Sequence, residues 1–246
     1  TLSQPHFGVG ADGIVLICPS SVADAKMLMY NRDGSEGKTS GNGMRSVGHY
    51  LYDKGIVQKE EITIETAGGI HQIKLYVQNG QVVSITVGMG KVDLRPESLP
   101  VLLPGDRIID HPVDIERSCY RITAVSIGNP HCVIFCDNPW ELDMEKAGSA
   151  IEYASIFPER VNVEFVTVIG RHTLKMRVWE RGNGETLACG TGACAAAVAA
   201  VLNGYCDKGS NITIKQRGGD VSVKYTEDEV YLTGASTKVF EGIFER

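Results

Sequence analysis

Several features are missing from this sequence, and each absence excludes a class of protein. No apolar stretch is long enough to span a bilayer, and the first residues show no signal-peptide pattern. There is no basic run, and the net charge is −6, which argues against nucleic acid and anionic membranes as partners. The seven cysteines are odd in number and not spaced like a disulfide framework. These features predict a cytoplasmic protein with reduced thiols.

What the sequence does contain is one segment in two copies. The first copy runs from Lys26 to Met44 and the second from Lys175 to Ala193, and they align without a gap at a separation of 149 positions. Each copy ends in a glycine-rich turn that opens a helix. The duplication predicts two similar halves that face each other across a pseudo-twofold axis. A site between such halves would receive one polar group from each side, which suits chemistry with two opposed acid/base groups on one carbon.

Hydrophobic periodicity predicts short strands around two main helices. The helices are expected over about 42–54 and 190–203, stopped by Gly55 and Gly204. The second is small and apolar on every side, which predicts a helix buried inside a sheet that wraps around it. Asn79-Gly80 is a hairpin signal. Residues 91 to about 117 contain four prolines and are expected to form an irregular inter-domain connection, and a shorter helix is expected near 139–153.

The two glycine-rich turns, Ser40-Gly-Asn-Gly43 and Cys189-Gly-Thr-Gly192, are candidate anion sites. A helix start presents unpaired backbone N–H groups and the positive end of the dipole, which would hold the carboxylate of an amino acid. The same field should lower the pKa of Cys189 and make it a more available thiolate. The alternative is a small buried cysteine. The equivalent turn in the other half favours the functional interpretation.

Other polar residues recur near these turns. Asn31 and Glu180-Arg181 end equivalent strands nine residues before Ser40 and Cys189. Asn129-Pro-His131 lies in a turn before a strand. Asn162 stands between two valines, where a strand disfavours it. Isolated surface Asn and Arg residues are usually only solvated.

Two weak cofactor or metal signals are set aside. His131 and Cys132 with Cys136 lie on a predicted strand without a second ligand pair, and Gly8-x-Gly10 lacks the third glycine of a dinucleotide site. We therefore expect neither a metal nor a cofactor.

At these residues the sequence resembles the diaminopimelate epimerase family, whose members epimerise an amino acid in lysine biosynthesis without a cofactor. The resemblance covers the chain from His6 to its end. It rests on six motifs in the family's order: His6–Gly13, Asn31–Glu36, Gly41–Arg45, Gly128–His131, Pro158–Asn162 and Glu180–Ala193.

The resemblance implies an α/β (α+β) fold of two pseudo-symmetric domains. Each is a curved, mixed or antiparallel sheet around a central helix, with the substrate in the cleft between them. We expect the first domain to comprise residues 1–90 and 235–246, and the second residues 91–234. A homodimer is expected from the resemblance alone.

The family mechanism uses two cysteines on opposite faces of the α-carbon, one as thiolate and one as thiol. The resemblance implies that Cys189 is one of them, that Glu180 tunes it, and that His131 partners the thiol opposite. It assigns substrate binding to Asn31, Asn129, Asn162, Glu180 and Arg181, and the substrate's carboxylate to the backbone amides of Gly41, Asn42, Gly190 and Thr191.

The sequence departs from the family pattern in two places. Ser40 stands where the first catalytic cysteine is expected, and Ser46 where another cysteine is common. A hydroxyl is far less acidic than a thiol, whose reference pKa is about 8.5, so Ser40 is expected to impair proton abstraction. The family's amino-terminal strand pair with its Gly-Leu-Gly-Asn-Asp motif does not occur in this sequence, which opens on Thr1 as a fragment would.

The expected function is epimerisation of LL- to meso-diaminopimelate by two-base proton transfer, with an amino acid as the small-molecule partner. Two alternatives stay open. One is a related racemase, or a one-base enzyme that uses Cys189 alone. The other is a non-catalytic homologue that binds an amino acid, which Ser40 favours and the set of polar residues disfavours.

Overall fold

The computed structural model describes residues 2–37, 40–227 and 229–243. The chain forms two compact units. The first comprises the described residues of Thr1–Val87 and Thr233–Arg246, and the second comprises those of Gly88–Leu232.

The first unit is a mixed sheet with one helix, α1 (Gly41–Asp53). Its strands pair in the order β1-β2-β4-β5-β6, with β3 on β2, and only β2 and β4 run parallel. Their bounds are β1 Gly13–Cys18, β2 Ala25–Asn31, β3 Glu36–Gly37, β4 Glu61–Thr66, β5 Gly69–Gln78 and β6 Gln81–Gly90. The parallel pair needs a crossover, and α1 provides it.

Helix α1 buries one face on its sheet. Met44, Val47 and Leu51 are at most 1% exposed. Gly48 lets the helix approach the sheet, because a Cβ there would lie 3.2 Å from Leu75 Cδ2. An amphipathic helix of 13 residues is thus held by tertiary packing more than by its own propensity.

The second unit is a larger mixed sheet with two helices, α2 (Met144–Glu152) and α3 (Gly190–Leu202). Its strands pair in the order β15-β14-β13-β11-β10-β9-β8-β7, with β12 on β11. The parallel pairs are β9 with β10 and β11 with β13. The bounds are β7 His111–Ile115, β8 Ser118–Ser126, β9 Pro130–Phe135, β10 Asn162–Gly170, β11 Thr173–Glu180, β12 Gly184–Thr186, β13 Asn211–Lys215, β14 Val221–Tyr225 and β15 Val230–Gly234.

Helix α3 lies inside the second unit, as its composition predicts. Every residue from Gly190 to Ala200 is buried. The helix packs against β8, β9, β10, β11, β13 and β14, so strands surround it. Its run of alanines and glycines keeps the helix thin enough for this close packing.

Both copies of the duplicated segment adopt the same succession of elements. The order β2-β3-α1-β4 in the first unit corresponds to β11-β12-α3-β13 in the second. The starts of the two main helices, 41 and 190, and their ends, 53 and 202, differ by the same 149 positions. The predicted fold class, mixed sheets with few helices, is confirmed.

The predicted hairpin at Asn79-Gly80 is also confirmed. Asn79 and Gly80 both have positive φ, 52° and 76°, as the two-residue turn between β5 and β6 requires.

The prediction that residues 91–117 are irregular is wrong, because they contain a short 3₁₀ helix and β7. They contribute Leu99, Ile108 and Val113 to the core of the second unit. Prolines suggested a linker, but Pro112 lies in β7, and β7 pairs with β8 and lies last in the order of this sheet, so it is an edge strand that tolerates proline.

The helix expected near 139–153 is shorter than predicted. A 3₁₀ turn, Pro139–Glu141, is followed by α2, whose cap Asp143 accepts a hydrogen bond from Lys146 N. Among the described residues no helix is long and apolar enough to cross a membrane.

Candidate active site

The starts of α1 and α3 have the same local geometry. Ser40 and Cys189 are the N-cap residues, with φ/ψ of −142°/114° and −128°/120°. Each side chain accepts a hydrogen bond from the amide three residues on. Gly43 N lies 3.1 Å from Ser40 Oγ, and Gly192 N lies 3.4 Å from Cys189 Sγ.

Helix capping explains the serine at position 40 but not the cysteine at position 189. Serine is among the preferred N-cap residues, so the stability of α1 is reason enough for Ser40. A thiol is a weak acceptor and a poor cap. Helix stability therefore does not account for Cys189.

Cys189 lies in a closely packed environment. It is 8% exposed, and its backbone N–H donates to Gln216 Oε1 at 2.9 Å. The Thr191 hydroxyl lies 3.4 Å from Sγ. These contacts hold the sulfur at the first turn of α3.

Burial, followed by the negative charges of Glu180 and Glu164, raises the pKa of the Cys189 thiol to about 12, although the hydrogen bonds from Thr191 and Gly192 act in the opposite direction. The sequence-based expectation of a lowered pKa is therefore wrong for this state of the protein. The helix amides were expected to dominate, but removal from water and two carboxylates outweigh them. Cys189 rests as a thiol, which is the form that delivers a proton.

We accordingly expect Cys189 to label slowly with iodoacetamide at neutral pH. The thiolate is the nucleophile, and below the raised pKa the thiol form is retained to about pH 10. Cys119 is the internal control, since it is exposed. Mass-spectrometric mapping after limiting reagent should find Cys119 modified first. Preferential labelling of Cys189 would contradict the protonated resting state.

A chain of polar contacts links Cys189 to a buried carboxylate within the second unit. His131 Nδ1 lies 2.7 Å from Glu164 Oε1, and His131 Nε2 lies 3.0 Å from Asn129 Oδ1. Asn129 Nδ2 donates to Thr191 Oγ1 at 3.4 Å, and Thr191 Oγ1 contacts the sulfur. His131 and Glu164 are fully buried. The fold thus connects β9, β10 and the start of α3 through side chains.

Gly192 allows Glu164 to approach this helix start. A Cβ at position 192 would lie 2.6 Å from Glu164 Oε1 and 3.3 Å from Cys189 Cβ. The first of these distances is too short, and the carboxylate is buried and cannot move aside freely. Glycine is therefore required here for close approach.

We expect Gly192→Ala to lower the free energy of unfolding by about 1–3 kcal/mol, as overpacking does. Gly43→Ala is the matched control at the equivalent position of α1. The atoms nearest to a Cβ there belong to Ser40 and the flexible Met27 side chain, at 3.3–3.4 Å. Urea unfolding should show a clearly smaller loss for the control, and equal losses would argue against the close approach of Glu164.

Other predicted site residues of the second unit lie around the same elements. Asn162, at the start of β10, donates to Pro130 O at 2.8 Å and accepts from Arg181 N at 3.0 Å. Its amide thus bridges β9 and the turn after β11, which explains an asparagine between two valines. The Arg181 side chain is exposed, with Nη1 bonded to Glu159 O, and Glu180 accepts a short hydrogen bond from Thr186 Oγ1.

The predicted residues of the first unit lie at the end of β2 and the start of α1. Asn31 Nδ2 donates to Ser35 Oγ at 3.0 Å. Gly41 is buried, whereas Asn42 is exposed and its Oδ1 accepts from Arg45 Nη2 at 2.9 Å. Arg45 also donates to Ala235 O, which ties α1 to the carboxyl-terminal segment.

Two residues at this site were missed by the sequence analysis. Glu164 carries a signal, because a charge within the apolar run of β10 is unusual and it follows Asn162 on the same face. Gln216, which binds Cys189 N, comes directly after β13 and gives no signal that separates it from a surface glutamine. The structure joins Cys189, Thr191, Asn129 and His131 into one cluster.

Comparison with known proteins agrees with the motifs. A family model described as diaminopimelate epimerase matches residues 1–95 and 123–239. A diaminopimelate epimerase of Methanococcus maripaludis strain S2 is 48% identical over 98% of this chain and 87% of its own length. One from Acetivibrio thermocellus is 48% identical over 98% of this chain and 86% of its own.

Solved structures with similar folds are distant in sequence. A hydroxyproline epimerase from Agrobacterium vitis aligns with a TM-score of 0.70 at 18% identity, over 92% of this chain and 72% of that one. A phenazine biosynthesis protein from Bacillus anthracis aligns with a TM-score of 0.66 at 17% identity, over 92% and 82%. At this identity the likeness is one of fold.

Proposed function

Since this chain belongs to the diaminopimelate epimerase family, we propose that it interconverts LL- and meso-diaminopimelate without a cofactor, as a step of lysine biosynthesis. The observation that carries the proposal is Cys189, a protonated thiol at the N-terminus of a buried helix, where stability alone does not explain a cysteine. We further propose a cytoplasmic homodimer, on the family resemblance alone.

In the proposed reaction the α-proton of the substrate leaves to a base at position 40, on one face of the α-carbon. The Cys189 S–H bond breaks to deliver a proton to the opposite face. The electron pair released from the C–H bond flows into the substrate's carboxylate in the transition state. Backbone amides at both helix starts, Gly41-Asn42 and Gly190-Thr191, would stabilise this charge. In the reverse direction the Cys189 thiolate takes the proton.

The remaining roles are proposed for the polar residues of the motifs. Asn31, Asn129 and Arg181 have side-chain groups that suit an amino-acid substrate, and Glu180 raises the pKa of Cys189 by its charge. Asn162 already uses both ends of its amide, so it would act in part by holding Arg181 in place. His131 would act as the partner of the residue at position 40. Through Asn129 and Thr191 it would also influence Cys189.

A one-base enzyme or a related amino-acid racemase is the second candidate, and Ser40 is the observation that favours it. A serine hydroxyl without a strong base is a poor proton acceptor, so the chain would exchange the α-proton at the Cys189 face without inversion. A homologue that binds an amino acid without reaction would do neither.

Incubation with LL-diaminopimelate in deuterated water separates these functions. Formation of the meso isomer with deuterium at the α-carbon supports the two-base enzyme. Exchange of deuterium into added meso-diaminopimelate with retained configuration, without exchange into the LL isomer, supports a single base at Cys189, since Cys189 removes the proton only in the meso-to-LL direction. Neither change, together with measurable binding of the amino acid, would overturn the proposed activity in favour of a binding protein.

A further inference from the structure

The buried carboxylate of Glu164 takes no part in the proton transfers of the proposed reaction. Its side chain, in the middle of an apolar strand, is fully buried. Oε1 bonds to His131, and Oε2 has no hydrogen-bond partner among the described residues. An ionised carboxylate removed from water is very unfavourable unless a cation pairs with it. His131 is the one basic side chain in contact with it in the described part of the chain.

We propose that Glu164 is a positioning residue that holds His131 as an imidazolium and thereby turns the Asn129 amide toward Thr191 and Cys189. The effect of Glu164 on turnover rests on the proposed function, whereas its ion pair with His131 does not depend on that function.

When His131 is an imidazolium, the donors and acceptors in the chain of hydrogen bonds from His131 to Cys189 have one possible arrangement. Nδ1–H donates to Glu164, and Nε2–H donates to Asn129 Oδ1. The Asn129 oxygen is then occupied, so its Nδ2–H₂ faces Thr191 Oγ1. The Thr191 hydroxyl accepts this bond and keeps its own hydrogen for Cys189 Sγ. From His131 Nε2 onward, every donor then points toward the sulfur.

A neutral His131 would reverse this polarity. With its proton on Nδ1, Nε2 becomes an acceptor, and the Asn129 amide must turn its NH₂ group toward it. The amide oxygen would then accept from Thr191, and the hydroxyl hydrogen would be withdrawn from the sulfur. The Cys189 thiolate would lose one of the two hydrogen bonds that oppose its raised pKa.

The pair of Glu164 and His131 also sets the net charge close to the start of α3. Among the described residues, Glu180 on β11 and Glu164 on β10 act on Cys189 through their charges, and His131 on β9 contacts Glu164. An imidazolium offsets part of the negative charge of Glu164, so that the carboxylate repels a substrate carboxylate bound at the amides of α3 less strongly. Glu164 differs in this from Glu180, whose carboxylate receives a hydroxyl hydrogen bond from Thr186.

The protonation state of His131 can be measured directly by NMR of protein with ¹⁵N-labelled histidine at neutral pH. Comparison with His131→Gln assigns its signals among the six histidines. We expect both ring nitrogens of His131 to be protonated in the unaltered protein. In Glu164→Gln, which keeps the shape of the side chain, we expect His131 to become neutral. Glu152→Gln is the matched control, because Glu152 is also buried in the second unit but bonds to Trp179 and Gly182.

A neutral His131 in the unaltered protein would overturn the proposal even if Glu164→Gln did not fold. An unchanged imidazolium in Glu164→Gln would overturn it as well, and neither result depends on the substrate or on the proposed activity. In the α-proton exchange assay, Glu164→Gln should lower kcat by on the order of 10²-fold with KM nearly unchanged. A change in KM alone would show that Glu164 acts only on binding.

Discussion

Replacement of Ser40 by cysteine should raise the rate of epimerisation by about 10²- to 10⁴-fold, the range that a well-placed acid/base group contributes. Ser40 and Cys189 occupy the same N-cap position of equivalent helices. A thiol there would supply the second base, since its reference pKa of about 8.5 lies far below that of a hydroxyl. The meso product formed from LL-diaminopimelate, followed by chiral chromatography, measures the effect.

The gain in rate should come with a small loss of stability. Serine caps a helix better than cysteine, so Ser40→Cys should cost about 1 kcal/mol of unfolding free energy. Ser46→Cys is the matched control, because it makes the same change on an exposed position of α1 and should leave the rate unaltered. A rate that Ser40→Cys does not raise, or that Ser46→Cys raises equally, would argue against position 40 as a proton-transfer site.

The second large effect is expected for Cys189→Ser. The variant should reduce deuterium exchange at the α-carbon by about 10²- to 10⁴-fold, because a hydroxyl cannot replace the thiol in proton transfer. The fold should be retained, since serine is the better N-cap and fits the same space. Exchange followed by mass spectrometry measures the loss, and circular dichroism checks the fold.

Cys194→Ala provides the control for this substitution. Cys194 lies on the same helix, is fully buried and belongs to the core. Its replacement should cost some stability through lost packing and should leave the exchange rate close to that of the unaltered protein. Loss of exchange in Cys194→Ala, or its persistence in Cys189→Ser, would remove Cys189 from the mechanism.

Much of the fold could be predicted from local patterns. The mostly small and apolar sequence of α3 specified a buried helix, and both of its ends follow from a cap residue and Gly204. Asn79-Gly80 specified a hairpin, because both residues tolerate positive φ. Strand β7 was missed because Pro112 and the prolines that precede it make this part of the sequence resemble a linker. Only its pairing with β8 makes it a strand.

By itself, the sequence determined the family, the repeated β-α-β order and the position of Cys189 at a helix start, because these depend on residue types at fixed spacings. Tertiary structure decided the chemistry of that cysteine. Burial and the carboxylates of Glu180 and Glu164 together keep it a thiol. Both the burial and the approach of Glu164 depend on strands that only the folded chain brings to the start of α3. The contact of Glu164 with His131 likewise arises only when β10 pairs with β9. Electrostatics and desolvation act through space, so no local pattern specifies them.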